Sequence, residues 1–257
     1  MIIDCNANLG EWPFRRMEYH TPEALLERLG RVGIERAWVT SLDAVVLKNV
    51  AAANEPLAES VAEHDALTPI GTVNPSWPEW ERDIAACADL GMPGVRVNPN
   101  YQSWMLTDPI FGELLTAADD LGLLVEIAVR MTDERHHHPL MMVPPAVLGG
   151  ILDLCAAHPD TPILIANGNI GEASSITRDA GGDLPSNLYF EISHFESVGG
   201  VQKAADSIGI EHLLFGTHAP YYYPESTTLK VFKECDFPAD ELEALTHGNA
   251  EGLVGGL

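Results

Sequence analysis

The sequence predicts an α/β fold, a parallel eight-stranded (β/α)8 TIM barrel formed by a single domain over residues 1–257. Three observations lead there. Eight apolar runs of strand length alternate with segments of helical period along the whole chain. Runs such as LLVEIAV and TPILIA are continuously apolar, as strands covered on both faces are. The length of 257 residues is near that of a typical closed barrel. An open doubly wound sheet is the alternative. The segment after the first strand, NANLGEW, carries no GxGxxG dinucleotide fingerprint.

Strands are expected at 2–5, 36–40, 68–73, 94–98, 123–129, 162–166, 187–193 and 212–217. The first run continues as Ile3-Asp4-Cys5-Asn6-Ala7-Asn8, and simple alternation places Asp4, Asn6 and Asn8 on one face. The first helix is written in TPEALLERLGRVG: Thr21 is its N-cap, Pro22 its first residue, and Leu25, Leu26 and Leu29 its apolar face. Further helices are expected near 50–64, 78–90, 109–121, 145–157, 171–180, 195–208, 225–235 and 239–246. The longest loops follow the first strand, 9–20, and the fifth, 130–144.

Composition excludes several classes. The formal net charge is -24, and Lys48, Lys203, Lys230 and Lys233 are the only lysines. Such a surface repels nucleic acid and anionic membranes. The acids are spread along the chain, and scarce lysine predicts a halophilic surface, adapted to high salt. A merely acidic mesophilic surface is the alternative. No run of about 18 uncharged apolar residues and no secretory leader is visible, so a cytoplasmic protein is expected. Cys5, Cys87, Cys155 and Cys235 form no CxxC pair and read as free thiols in a reducing compartment.

Several segments, in order, resemble one family. DCNANLG resembles a DxHxHLG start. GVRVNPNYQ resembles G-I-R-L-H-P-N-Y, and VEIAVRMTDERHHHP resembles V-L-I-H-V-R-M-x-D-E-R. LLFGTHAPYYYPES resembles L-F-G-S-D-x-P, and HGNAEGLVG resembles a closing G-N-A-x-R-L-L helix. Together they are similar to the amidohydrolase-related (amidohydrolase 2) metal-dependent hydrolases. That resemblance implies a barrel holding one or two divalent metals such as zinc, ligated from strands 1, 5, 6 and 8. Members hydrolyse amides, esters or lactones, and some decarboxylate or hydrate. It also implies a homodimer.

The positions matching the family's ligands are Asn6, Asn8, Ala128, Asn167 and His218. Amides are poor zinc ligands, and one imidazole falls short of the three protein ligands of a catalytic zinc site. The expectation is a metal site lost or rebuilt as a polar pocket.

Alternation points Asn6, Asn8, Arg96, Asn98, Glu126, Ala128, Arg130, Asn167, Glu191 and His218 inward, with Asn74 near them. His218 is the acid–base candidate, because imidazole titrates near neutrality, and Glu126 is the second catalytic candidate. Asn6, Asn8, Arg96, Asn98, Arg130 and Asn167 are the substrate-binding candidates: amides suit neutral polar groups and guanidinium forks suit carboxylates. Trp12, Tyr101, Trp104 and Tyr221 to Tyr223 are candidate pocket walls. The competing readings are structural: Arg96–Glu126 and Arg130–Glu191 as ion pairs, and His218 bonded to a backbone carbonyl. His136, His137 and His138 read as a loop over the mouth, with metal capture as the alternative. His20, His64, His158, His212 and His247 read as surface residues, and His194 is left unassigned.

The expected function is hydrolase-like action on a small polar or carboxylate-bearing molecule. The alternatives are a decarboxylase- or hydratase-type lyase and a non-catalytic small-molecule binder.

Overall fold

A computed structural model describes residues 1–140 and 142–254. Gly255, in the closing HGNAEGLVG segment, and the last two positions of the 1–257 domain lie outside it. The strands are β1 (Ile3–Leu9), β2 (Arg36–Ser41), β3 (Leu67–Pro69), β4 (Gly71–Thr72), β5 (Gly94–Val97), β6 (Leu124–Ala128), β7 (Ile163–Ala166), β8 (Leu188–Glu191) and β9 (Leu213–Leu214). Every paired neighbour is parallel, in sequence order. β3 and β4 are one barrel strand interrupted at Ile70, whose N–H still donates to Val39 O at 2.8 Å.

The ring closes between its first and last members. Cys5 N–H donates to Phe215 O (2.8 Å), His218 N–H to Asn6 O (2.7 Å) and Asn8 N–H to Ala219 O (2.7 Å). These parallel bonds join the first strand to the last and close the barrel among the described residues. The fold is the TIM barrel that the alternation predicts.

Two apolar layers hold it. Outside the strands, residues such as Val39, Val95, Val125, Ile165 and Phe190 pack against helix residues such as Leu25, Leu29, Ile84 and Phe111. Inside, Ile3, Cys5, Trp38, Ile70, Leu124, Leu164 and Leu214 form a plug, joined by Ala250 of the last helix, Asn249–Val254. Each such side chain contributes about 1.5–3 kcal/mol when fully buried. The plug fills the interior beneath the polar residues, and the polar layer sits toward the C-terminal mouth, where barrels of this kind carry their chemistry.

The first strand departs from simple alternation. The β1–β2 register shifts between Asp4 and Ala7. Ile3 and Cys5 belong to the interior plug, whereas Ala7 and Leu9 pack outside. An extra residue therefore reverses the parity, and Asp4 does not share the face of Asn6 and Asn8. Its carboxylate instead accepts from Asn6 N–H (3.0 Å), Thr217 N–H (2.9 Å) and Thr217 Oγ1. Asp4 thus satisfies the bulged amide and pins the last strand to the first.

The first helix, Pro22–Gly30, starts as expected, with Thr21 Oγ1 accepting from Ala24 N–H at 3.4 Å. The helix expected from 145 begins only at Ile151, after two prolines and the Gly149–Gly150 pair, with Gly150 at φ 84°. Among the described residues, no helix is long and apolar enough to cross a membrane. Cys5, Cys87, Cys155 and Cys235 are free thiols.

Candidate functional site

The polar layer above the plug is built around Arg96. Arg96 on β5 faces Glu126 on β6 in register, and its Nε donates to Glu126 Oε2 at 2.7 Å. Its other two nitrogens cross the barrel: Nη2 donates to Asn6 Oδ1 (2.9 Å) and Nη1 to Asn8 Oδ1 (3.3 Å). Thr40 Oγ1 also donates to Asn8 Oδ1, at 2.9 Å. Asn6 Nδ2 donates to Asn167 Oδ1 (2.7 Å), and Asn167 Nδ2 to Arg130 O (2.7 Å). The network consumes the amides, as buried polar groups require.

Asn6, Asn8, Arg96, Asn98, Glu126, Asn167 and His218 are each at most 2 % exposed. Of the candidate catalytic and substrate-binding residues, Arg130 borders one of the mouth cavities described below, and the candidate walls Tyr221 to Tyr223 border the other. Among the described residues, neither side-chain polar atom of the buried Asn98 has a partner, nor does Glu126 Oε1. Burial raises the Glu126 carboxyl, and the Arg96 guanidinium opposes that.

Two strand ends sit in the left-handed region, Asn167 at φ 59° and His218 at φ 57°. Asparagine and histidine are both among the residues enriched in this conformation. Gly216 has a packing reason: a Cβ would collide with the Glu191 carboxylate and approach Asn6 Cβ to 3.1 Å.

His218 Nε2 lies 2.7 Å from Met131 O, so Nε2 carries the hydrogen and Nδ1, 3.5 Å from Asn8 Nδ2, carries the lone pair. Burial pushes its pKa down to about 3 and holds it neutral. Tyr221 stacks on it at 4.7 Å with parallel rings. Trp12, Met17, Leu42, Met131 and Tyr221 cover this layer as an apolar lid.

The expected Arg130–Glu191 pair does not form. Arg130 donates to Glu172 Oε2 at 2.9 Å, pairs with Glu172 Oε1, and also donates to Asn167 O at 2.7 Å. Glu172 is held there because it closes a capping box with Asn169 at the start of the Ile170–Asp179 helix. Glu191 lies deeper and accepts from Asn167 N–H (2.5 Å), Ser193 N–H (2.7 Å) and Ser193 Oγ (2.8 Å). Asn74 organises its own turn, accepting from Ser76 N–H at 3.1 Å. Trp104 bonds Gln102 and packs on Phe111 at 5.2 Å, so it is no pocket wall. His212 is buried against Leu188 O at 2.8 Å, not at the surface.

Open space lies beside the lid. A cavity of about 420 Å3 is lined by Arg130, Asp133, Arg135, Asn169, His194 and Glu196. A second, of about 500 Å3, shares Glu196 and is lined by Arg15, Arg16, Lys230, Ser193 and Tyr19 and Tyr221 to Tyr223. Lys230 Nζ donates to Ser193 O at 2.7 Å, and burial lowers its ammonium. The histidine loop lies across the mouth, as expected: His138 stacks on Phe14 at 5.1 Å, and His136 borders the larger cavity. Arg15, Ser193, His194 and Lys230 escape strand-based reading because they sit in loops or on a helix. The sequence signal for Ser193 and His194 is their place with Glu191 at the end of an apolar strand, and Arg15 and Lys230 carry no such signal.

Among the described residues, no group of three or more His, Cys, Asp or Glu side chains is placed to hold a metal ion. A closed (β/α)8 barrel with a polar layer under its C-terminal mouth defines the class. The chain belongs to the amidohydrolase family, whose family model (Amidohydro_2, amidohydrolase) matches residues 3–256.

Similar solved structures include an uncharacterised TIM-barrel protein of Bordetella bronchiseptica, at 19 % identity and TM-score 0.76, covering 99 % of this chain and 98 % of that one. 5-Carboxyvanillate decarboxylase of Sphingomonas paucimobilis is similar at 17 % identity and TM-score 0.73, with 99 % and 98 % covered. That of Novosphingobium aromaticivorans, complexed with manganese and 4-hydroxy-3-methoxy-5-nitrobenzoic acid, is similar at 16 % identity and TM-score 0.75, with 99 % and 96 % covered. At these identities the likeness establishes the fold. Among curated proteins none matches this chain.

Proposed function

We propose that this protein is a lyase of the decarboxylase or hydratase type that binds a small carboxylate-bearing, ring-sized molecule in the cavities at the barrel mouth. One observation carries the reading. In a chain of net charge -24 with only 14 lysines and arginines, five of those cations line the two adjoining cavities. Arg15, Arg16 and Lys230 line the larger beside Glu18 and Glu196, and Arg130 and Arg135, paired with Glu172 and Asp133, line the smaller. Guanidinium forks match a carboxylate geometrically, and the tyrosine rings supply flat apolar walls. The decarboxylase activity of similar barrels supports the same reaction class.

The residues at the family's metal positions do not fit a divalent ion. Asn6 and Asn8 present their oxygens to the Arg96 guanidinium, and Asn6 and Asn167 bond one another at 2.7 Å. A second cation there would meet a fixed positive charge. No hydrolytic step through a metal-bound water is therefore derived. Asn6, Asn8, Arg96, Asn167, Glu126 and His218 form the floor that holds the mouth in shape, and Arg130 is the expected binding residue that reaches ligand.

The closed network beneath the lid favours a second reading, a barrel that binds its carboxylate without turning it over. Incubation with a panel of aromatic and aliphatic carboxylates, followed by mass spectrometry of the products, separates these. Loss of CO2 or gain of water is the expected result. Cleavage of amide, ester or lactone substrates would restore the hydrolase reading, and binding without product would support the second.

A further inference from the structure

Glu191, Ser193 and His194 form a hydrogen-bonded chain at the end of β8. Glu191 accepts from two backbone N–H groups, of Asn167 at 2.5 Å and Ser193 at 2.7 Å. Both are obligate donors, one to each oxygen, and together with the Arg96 charge they oppose the upward push of burial on the Glu191 carboxyl. As a carboxylate it accepts from Ser193 Oγ–H as well, 2.8 Å from Oε1. Only lone pairs of Ser193 Oγ then remain for His194 Nδ1, 2.9 Å away. Nδ1 must carry the hydrogen. In a neutral imidazole that leaves Nε2 with a bare lone pair. Among the described residues Nε2 is buried with no hydrogen-bond partner, while the ring, 6 % exposed, borders the cavity that holds Arg130 and Arg135.

We propose that His194 is the proton-accepting residue of this cavity, with Ser193 and Glu191 as the positioning residues that fix its tautomer. The inference rests on the reading that these cavities hold the ligand, and it names the group that moves a proton there. The O–H bond of a ligand hydroxyl or a water breaks, the proton passes to Nε2, and the oxygen keeps the electron pair. Arg130, paired with Glu172, and Arg135, paired with Asp133, line the cavity in which that negative charge forms. The reverse step returns the proton, and nothing else is consumed.

The surroundings keep the imidazole neutral beforehand. Burial pushes its pKa well below the usual histidine value, and His218, Arg130 and Lys230 push it the same way. The charged and titratable groups around it are His218 and Tyr222 after β9, Arg130, Asp133 and Arg135 after β6, Lys230 on the Pro224–Glu234 helix, and Glu196. Asp133 pulls in the opposite direction, more weakly than these.

The test is long-range proton–nitrogen NMR on the full chain with 15N-labelled histidine, the His194 signals being assigned by their loss in His194→Gln. The expected spectrum shows the Nδ1–H tautomer, unprotonated across the neutral range, and Ser193→Ala converts it to a tautomer mixture. A dominant Nε2–H tautomer, or one that Ser193→Ala leaves unchanged, overturns the proposal. With 4-hydroxybenzoate as probe and benzoate as control, the hydroxyl-bearing acid alone should shift the Nε2 resonance. Binding of 4-hydroxybenzoate that leaves Nε2 unmoved also overturns it. Binding of neither acid counts against the carboxylate reading, and the tautomer result then decides this one.

Discussion

Arg96 reaches across the barrel to Asn6, with Nη2 2.9 Å from Oδ1, while its Nε holds Glu126 Oε2 at 2.7 Å. One buried guanidinium thus ties β5 and β6 to the first strand. It places a permanent cation against the residues that match the family's metal ligands.

The first prediction follows from that charge. Removing one member of a buried pair leaves the other uncompensated, which costs about 3–5 kcal/mol. Arg96→Met should therefore lower unfolding free energy by that order in urea titration. The double variant Arg96→Met, Glu126→Leu should recover much of the loss. A single variant as stable as the parent would show that the pair contributes nothing.

Asp4 gives a pH effect of defined sign. Burial pushes its pKa up to about 6, against the lowering effect of its bonds to Thr217 and Asn6. An acid whose folded pKa exceeds its unfolded value stabilises the fold most when protonated in both states. That contribution is lost as pH rises from the unfolded value, about 3.9, through about 6. Asp4→Asn keeps an oxygen for both backbone N–H groups and offers an amide to Thr217 Oγ1. It should remove this pH-dependent loss, read as melting temperature at several pH values. An unchanged profile would contradict the assignment.

His218 acts in the opposite sense. Its folded pKa, about 3, lies below the unfolded value of about 6.5. The unfolded chain therefore binds the proton first, and stability that is full above about 6.5 falls as pH drops toward 3. His194, held well below its usual value, adds to the same slope. His218→Gln should flatten the acid limb of the melting profile, and a limb as steep as the parent's would reject the explanation.

The salt response tests the halophilic proposal. With net charge -24, self-repulsion weakens as counter-ions screen it. Melting temperature should rise with KCl. A flat or falling curve above roughly 1 M, where the screening length is near 3 Å, would contradict the proposal.

Much of the scaffold was readable because buried parallel strands are continuously apolar. Alternation also brought Arg96 and Glu126 to the interior, and the structure shows them bonded there. Asp4 was misplaced because a one-residue bulge leaves no mark in the hydrophobic pattern. The Arg130 partner was misassigned because Glu172 lies on a helix whose capping box determines its position, which strand parity does not show. Asn6, Asn8, Arg96 and Asn167 lie buried in one bonded layer, a depth that strand parity does not show because it gives direction alone. His194 carries no periodic signal, since it lies just past a strand, and only its bond to Ser193 distinguishes it.

The most direct measurement is turnover of the carboxylate panel by chelator-treated protein, with Arg130→Gln alongside. The account predicts product by loss of CO2 or gain of water without added metal, and a loss of carboxylate affinity in the Arg130 variant. Activity that appears only when a divalent metal is supplied would contradict it.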